Sequence, residues 1–213
     1  MSSPRRITVL ISGNGSNLQA LIDASNTSPL PNVEIVKVIS DRKDAFGLQR
    51  AEKARIPRLV HNIVPYKHLP DNPSDPFSSE RRKAYDADLS KHILSSKPDI
   101  VVCAGFMRIV TPSLLNPLQD AKVPIINVHP SLHGDLIGAH CIERAWEEFQ
   151  AGKRKKTGIM IHHVIAEVDL GEPIVQEEVS IEGCGKLEDL QERLHKVEHT
   201  LIVEGTRKVL DSR

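Results

Sequence analysis

The sequence predicts an α/β fold: a mostly parallel sheet flanked by helices, with an antiparallel hairpin added near the C-terminus. Short apolar runs alternate with segments of helical spacing through the first two thirds of the chain. Repeated β-α alternation is typical of a parallel sheet with right-handed crossovers. In the last third, two strand-like segments are joined by a short connection, which favours antiparallel pairing.

The first predicted strand is a nearly all-apolar run, as expected where both faces of a sheet are covered, and four more strands are predicted after it. The five strands comprise residues 7–11, 33–39, 58–61, 99–104 and 123–128. Helical spacing is found between them, in residues 16–24, 45–54 and 81–95. Residues 65–79 contain four prolines and several polar residues, so we expect an exposed loop there. A Rossmann-like sheet of this kind binds ligands beyond the carboxyl ends of its strands.

The last third begins with a predicted helix over residues 138–152 and a basic turn over 153–156. Strands are expected over 157–165 and 173–181, with a turn at 169–172 between them, and a long helix over 187–210 closes the chain. The sequence has no internal repeat and no low-complexity tract. We therefore expect residues 1–213 to form a single domain.

Composition excludes several classes of function. The 213 residues include 28 basic and 28 acidic side chains, so no net charge attracts nucleic acid or an anionic membrane. Three scattered cysteines argue against a disulfide framework and suit a reducing compartment. Residues 1–6 lack a signal-peptide pattern, and no apolar run reaches membrane-spanning length. We expect a soluble, cytoplasmic protein; its protein partners cannot be predicted.

Asn127 and His129 form the most informative motif, at the end of the fifth predicted strand. Because they are two residues apart, their side chains leave a strand on the same side. An amide and an imidazole together can bind one carbonyl oxygen and handle a proton beside it, which suits acyl transfer. An isolated Asn-x-His is more commonly a polar cap on a turn, so the motif depends on its context.

A second motif, Ser12 to Asn17, lies between the first strand and the first helix. Its glycines allow backbone N–H groups to approach an anion, and the helix start adds donors directed at phosphate. The motif is neither a dinucleotide fingerprint nor a nucleoside-triphosphate loop. A turn that only caps the helix is the alternative, and the position after the first strand favours phosphate. Asp169 is a third candidate, because its carboxylate would hold His129 as a cation if the hairpin folded back against the fifth strand.

Together these segments resemble the folate-dependent phosphoribosylglycinamide formyltransferases of purine synthesis. The similar segments occur in the family's order and span nearly the whole chain: residues 9–20, 44–48, 104–109, 127–132 and 167–171. The family's proline-containing, often aromatic loop is replaced here by residues 133–138. This departure affects the loop near the substrate amine and not the catalytic pair.

The resemblance implies a single formyltransferase domain that transfers a formyl group from 10-formyltetrahydrofolate, a cosubstrate, to the amine of 5'-phosphoribosylglycinamide without a metal. By resemblance, Asn127, His129 and Asp169 are the catalytic residues. The other implied site residues fall into three groups: Gly15, Ser16 and Asn17 bind the substrate phosphate; Glu198 lies near the glycinamide end; and Arg82, Met107, Arg108, Ile109, Val110 and Asn127 line the folate site. A glutamate on a charged helix is more often solvated, so Glu198 is the weakest of these assignments.

Four alternatives remain open. Ten histidines suggest a zinc site, with His129, His133, His140 and His162 as candidates, although His162 and His163 would point to opposite faces of a strand and paired cysteines are missing. A formyltetrahydrofolate hydrolase would use water in place of the amine, and a methionyl-tRNA formyltransferase would need a further domain. A phosphate-sensing module without turnover would bind a phosphosugar but no folate.

Overall fold

A computed structural model describes residues 3–213. The absence of a signal peptide was expected from residues 1–6, of which residues 1 and 2 lie outside the described part. One seven-stranded sheet has the order β3-β2-β1-β4-β5-β6-β7. β1 to β5 run parallel, and β6 and β7 are antiparallel to their neighbours. The strands are β1 (Arg5–Ile11), β2 (Val33–Ser40), β3 (Arg58–Val60), β4 (Ile100–Cys103), β5 (Ile125–His129), β6 (Lys156–His163) and β7 (Pro173–Ser180). The predicted α/β fold is confirmed.

Six α-helices flank this sheet: α1 (Ser16–Ala24), α2 (Phe46–Lys53), α3 (Glu80–Leu94), α4 (Pro112–Asp120), α5 (Cys141–Gln150) and α6 (Leu187–Asp211). Residues 65–79 form a largely exposed loop, as predicted, with a short 3₁₀ helix at Val64–Tyr66. Within residues 3–213, no helix is both long enough and apolar enough to span a bilayer.

The observed helices differ from the prediction in two places. The sequence did not predict α4, because its nine residues include Pro112 and Pro117. Pro112 occupies the first turn, where a missing N–H costs nothing, and Thr111 caps the helix by accepting a hydrogen bond from the Ser113 N–H. The helix predicted from residue 138 begins instead at Cys141, because Gly138 and His140 have positive φ angles of 82° and 59°.

Alternate residues of the central strands pack on opposite faces of the sheet. Val9 of β1 belongs to a large apolar cluster that includes side chains of α1, α5 and α6, whereas its neighbour Leu10 belongs to a second cluster with side chains of α3 and α4. Burial on both faces explains why the strands read as continuous apolar runs. The core therefore lies on both sides of the sheet, and polar groups for chemistry are concentrated at the strand ends.

The strand order reverses between β1 and β4, and this crevice is where open α/β sheets bind ligands. The two loops that leave these strands are hydrogen-bonded to each other. The Ser12 N–H donates to the Gly105 carbonyl at 3.1 Å, and the Ser12 hydroxyl accepts from the Met107 N–H at 2.8 Å. The glycine-rich loop and the segment after β4 are thus held side by side at the carboxyl edge.

Candidate active site

Asn127, His129 and Asp169 lie together at the carboxyl end of β5. His129 is only 4% exposed, and its Nδ1 atom forms an ion pair with Asp169 Oδ2 at 3.4 Å. Asp169 lies in the connection between β6 and β7, with a positive φ of 56°. Its Oδ2 atom also accepts a hydrogen bond from the Gly138 N–H at 2.9 Å, which ties this connection to the loop after β5.

Both ring nitrogens of His129 face hydrogen-bond acceptors. Nε2 lies 2.7 Å from the Leu136 carbonyl, and Nδ1 faces the Asp169 carboxylate. A neutral imidazole carries one N–H, so it can donate to only one of these two acceptors at a time. Because the Leu136 carbonyl holds Nε2 at the shorter distance, a ligand would share Nδ1 with Asp169.

The Ser12 to Asn17 loop has the geometry of an anion site. Gly15 has a φ of 75°, and a Cβ atom built on it would lie 2.6 Å from the Gly47 Cα. Glycine is therefore required by conformation and by close packing. No side chain caps the start of α1, so the first N–H groups of the helix, at Ser16 and Asn17, remain available to an anion.

Glu198 lies beside this loop and is buried, contrary to the solvated face that is usual for a helical glutamate. Its Oε2 atom accepts a hydrogen bond from Asn17 Nδ2 at 3.2 Å. Burial raises the pKa of Glu198, and the nearby His195 together with the Asn17 hydrogen bond opposes the increase. The side-chain oxygen of Asn17, Oδ1, is buried without a hydrogen-bond partner. The Asn17 and Glu198 side chains can therefore accept a hydrogen bond from a further donor.

One cavity of about 670 Å³ is lined by all the catalytic, phosphate-binding, glycinamide and folate residues that the resemblance implied. These are Gly15, Ser16, Asn17, Arg82, Met107, Arg108, Ile109, Val110, Asn127, His129, Asp169 and Glu198. The structure thus brings every residue implied by the resemblance to the same cleft, whereas the zinc candidate His133 does not line it.

The part of the cavity formed by the segment after β4 combines apolar surface with cations. Met107 is 67% exposed, an unusual degree for a long apolar side chain in a cleft. Arg108 donates to Asp41 at 2.8 Å and lies 4.9 Å from the centre of the Tyr85 ring, so its position is fixed. The Nη1 atom of Arg82 is buried without a hydrogen-bond partner. These features suit a flat ring system attached to an anionic group.

A model of the formyl transferase family matches residues 5–206, nearly the whole chain. The chain belongs to the formyl transferase family. Similar proteins include the phosphoribosylglycinamide formyltransferases of Schizosaccharomyces pombe, with 45% identity over 96% of each chain, and of Escherichia coli, with 36% identity over 92% of this chain and 82% of the relative.

The fold of this formyl transferase is also similar to solved structures. The glycinamide ribonucleotide transformylase 1 of Symbiobacterium toebii has a TM-score of 0.82 at 32% identity, covering 100% of this chain and 91% of that one. The phosphoribosylglycinamide formyltransferase of Bacillus halodurans has a TM-score of 0.81 at 32% identity, covering 97% and 95%. In Drosophila melanogaster, a similar segment forms 14% of a trifunctional purine biosynthetic protein at 37% identity.

The unusual loop of this formyl transferase, residues 133–138, is firmly anchored. Arg154 binds Asp135 through two nitrogens at 2.6 and 2.7 Å, and the Ser131 hydroxyl accepts from the Leu136 N–H at 3.0 Å. This arrangement places the Leu136 carbonyl against His129. Sequence reasoning did not predict that contact, because the carbonyl belongs to a segment without the family's motif and the backbone carries no side-chain signal.

His162 was considered only as a zinc candidate, yet it lies between Asn127 and Asp169. Its Nε2 atom is 3.3 Å from Asn127 Nδ2 and 3.7 Å from Asp169 Oδ1. The alternation of strand residues could have identified it, since His162 faces the cavity and His163 does not line it. His140 is exposed and near Glu143. Among residues 3–213, no group of three or more His, Cys, Asp or Glu is arranged to hold a metal ion.

Proposed function

We propose that this formyl transferase transfers the formyl group of 10-formyltetrahydrofolate to the primary amine of 5'-phosphoribosylglycinamide. The products are N-formyl-phosphoribosylglycinamide and tetrahydrofolate, and the step belongs to de novo purine (IMP) biosynthesis. The names of the relatives that match along most of their length support this assignment. We propose a cytoplasmic enzyme that acts on small molecules, without nucleic acid, membrane or metal.

The observation that carries the proposal is the order of groups in one cavity. An anion site at the start of α1 adjoins the buried Glu198, and the Asn127, His129 and Asp169 group shares the cavity with the exposed Met107 and the arginines. Gly15, Ser16 and Asn17 would bind the ribose phosphate, with Glu198 near the glycinamide end. The folate would contact Arg82 and the segment of residues 107–110. A phosphate-sensing module would have no use for the second half of this cavity.

Formyl transfer by direct attack needs stabilisation of one developing charge. The substrate amine attacks the formyl carbon, and the carbonyl oxygen becomes an oxyanion in the tetrahedral centre. The Asn127 amide and protonated His129 would donate to that oxygen; one such donor is worth roughly 2.7–4 kcal/mol in a protease oxyanion hole. Asp169 keeps the imidazole charged and oriented.

The reaction must also move one proton between its two substrates. The attacking amine must lose a proton, and the folate nitrogen that leaves must gain one. A water molecule beside Asp169 and the His129 imidazolium would carry the amine proton to the leaving nitrogen, so neither residue changes its charge over the cycle. No covalent enzyme intermediate is required. Holding the amine and the formyl carbon together in one cavity supplies part of the rate acceleration.

The test is a steady-state assay that follows tetrahydrofolate formation with both substrates present. We expect turnover only when glycinamide ribonucleotide and 10-formyltetrahydrofolate are supplied together. Release of formate without the amine would indicate a hydrolase, and formylation of methionyl-tRNA would indicate the other alternative. Inactivity of the wild-type protein toward the proposed pair, with both ligands shown to bind, would refute the assignment.

A further inference from the structure

His162 is paired directly with Asn127 across the antiparallel strands β5 and β6. Directly opposed residues of an antiparallel pair project from the same face of the sheet, so His162 enters the cavity beside the amide. The register of β6 shifts between Ile161 and His162. A bulge at this point redirects the side chain of the residue beside it.

The hydrogen bonds of His162 define its tautomer. Nδ1 lies 2.9 Å from the His163 carbonyl, which can only accept, so Nδ1 carries a hydrogen. In the neutral ring, Nε2 then has a free lone pair. The nearest group to that lone pair is Asn127 Nδ2 at 3.3 Å, which donates to it. If the amide were reversed, its oxygen would face the lone pair, and two acceptors would repel each other.

We propose that His162 is a positioning residue whose neutral imidazole accepts one N–H of Asn127 and thereby directs the second N–H of that amide at the oxygen of the reacting formyl group. The inference rests on the proposed function and extends it to a residue outside the catalytic trio. An amide NH₂ has two hydrogens in one plane, so fixing one hydrogen fixes the other. Preorganised donors of this kind need no reorientation during the reaction.

The surroundings of His162 keep the ring neutral. Burial lowers the pKa of His162, and the nearby rings of His129 and His133 lower it further, while the His163 carbonyl and Asp169 act in the opposite direction. A protonated ring would direct its Nε2–H at the Asn127 amide nitrogen. Both groups are donors, so this hydrogen bond would be lost. It would also compete with His129 for Asp169, whose Oδ1 atom lies 3.7 Å away.

The experiment compares His162→Ala, His162→Gln and the neighbouring His163→Ala in the formyl-transfer assay. Glutamine can accept from Asn127 through its own amide oxygen, whereas alanine cannot. We expect His162→Ala to lower kcat by about 10- to 100-fold with little change in either KM, because misplacement of a catalytic group has this order of effect. His162→Gln should recover most of that loss, and His163→Ala should resemble the wild type.

Two further measurements separate positioning from general stability. In the Asn127→Ala background, His162→Ala should cost less than about a threefold loss of kcat, since the group it orients is missing. The ¹⁵N shifts of histidine-labelled protein should show His162 as the Nδ1–H tautomer. The proposal is overturned by a wild-type kcat in His162→Ala, by an undiminished loss in the Asn127→Ala background, or by an Nε2–H tautomer. The NMR measurement needs no turnover, so it distinguishes failure of this proposal from failure of the proposed reaction.

Discussion

Replacing Asp169 by asparagine removes one charge and almost nothing else. With its oxygen at the Oδ2 position, the new amide still accepts the Gly138 N–H, which lies 2.9 Å from Oδ2 in the native structure. Its nitrogen would take the Oδ1 position, 3.7 Å from His162 Nε2 and outside hydrogen-bond distance of the lone pair that Asn127 occupies. The fold therefore has no reason to change, and the effect of the variant is concentrated on the interaction with His129.

The magnitude follows from the ion pair with His129. At 3.4 Å and an effective dielectric constant of about 20, two unit charges attract by roughly 5 kcal/mol. If this stabilisation is needed in the transition state, kcat should fall by roughly 10²- to 10⁴-fold, since about 1.4 kcal/mol corresponds to a factor of ten.

The assay is single-turnover formyl transfer at saturating substrates, combined with calorimetric binding of glycinamide ribonucleotide and a thermal melt. Substrate affinity and melting temperature should stay close to those of the wild type. Glu172→Gln is the matched control, because it removes an exposed carboxylate from the same connection. A loss of kcat below about threefold in Asp169→Asn would refute the role of the charge.

Two other predictions concern Gly15, in the loop after β1, and Asp86, in α3. Gly15→Ala should lower stability by about 1–3 kcal/mol and raise the KM for the phosphorylated substrate, because φ is 75° and Gly47 leaves no space for a methyl group; an unchanged melting temperature and KM would contradict this. Burial raises the pKa of Asp86 to about 6. The folded protein should therefore lose stability as the pH rises through 6 and this buried carboxyl group ionises. Asp86→Asn should match the wild-type melting temperature near pH 4 and exceed it at pH 7.5 by the equivalent of about 1–3 kcal/mol; equal melting temperatures at both pH values would count against it.

The sheet and most helices could be predicted because the relevant signals are local. The apolar runs of β1, β4 and β5 are long enough to identify, and the spacing of α6 extends over 25 residues. The helix α4 was missed because it contains two prolines: Pro112 is compatible with the first turn, whereas Pro117 lies inside the helix, where proline usually argues against one. The start of α5 was misplaced because a positive φ at His140 leaves no signal in its residue type.

The membership of the site could be proposed from motifs, but its contacts could not. Asp169 reaches His129 only because β6 pairs with β5 and the following connection folds back. The Leu136 carbonyl and the His162 ring depend on the conformation of a loop and on a bulge, respectively. Alternation along β6 places His162 on the cavity face, but these contacts are consequences of tertiary structure that no spacing of residue types encodes. The functional roles of all these residues remain predictions.

The central claim is that Asn127, His129 and Asp169 act as one unit on a single carbonyl oxygen, and a double-mutant cycle on His129 and Asp169 tests it most directly. The cycle compares kcat for formyl transfer in His129→Ala, Asp169→Asn and the double variant. We expect the double variant to be about as impaired as His129→Ala alone, because the carboxylate acts through the imidazole. Losses that multiply in the double variant would show that the two residues act independently and would contradict the account.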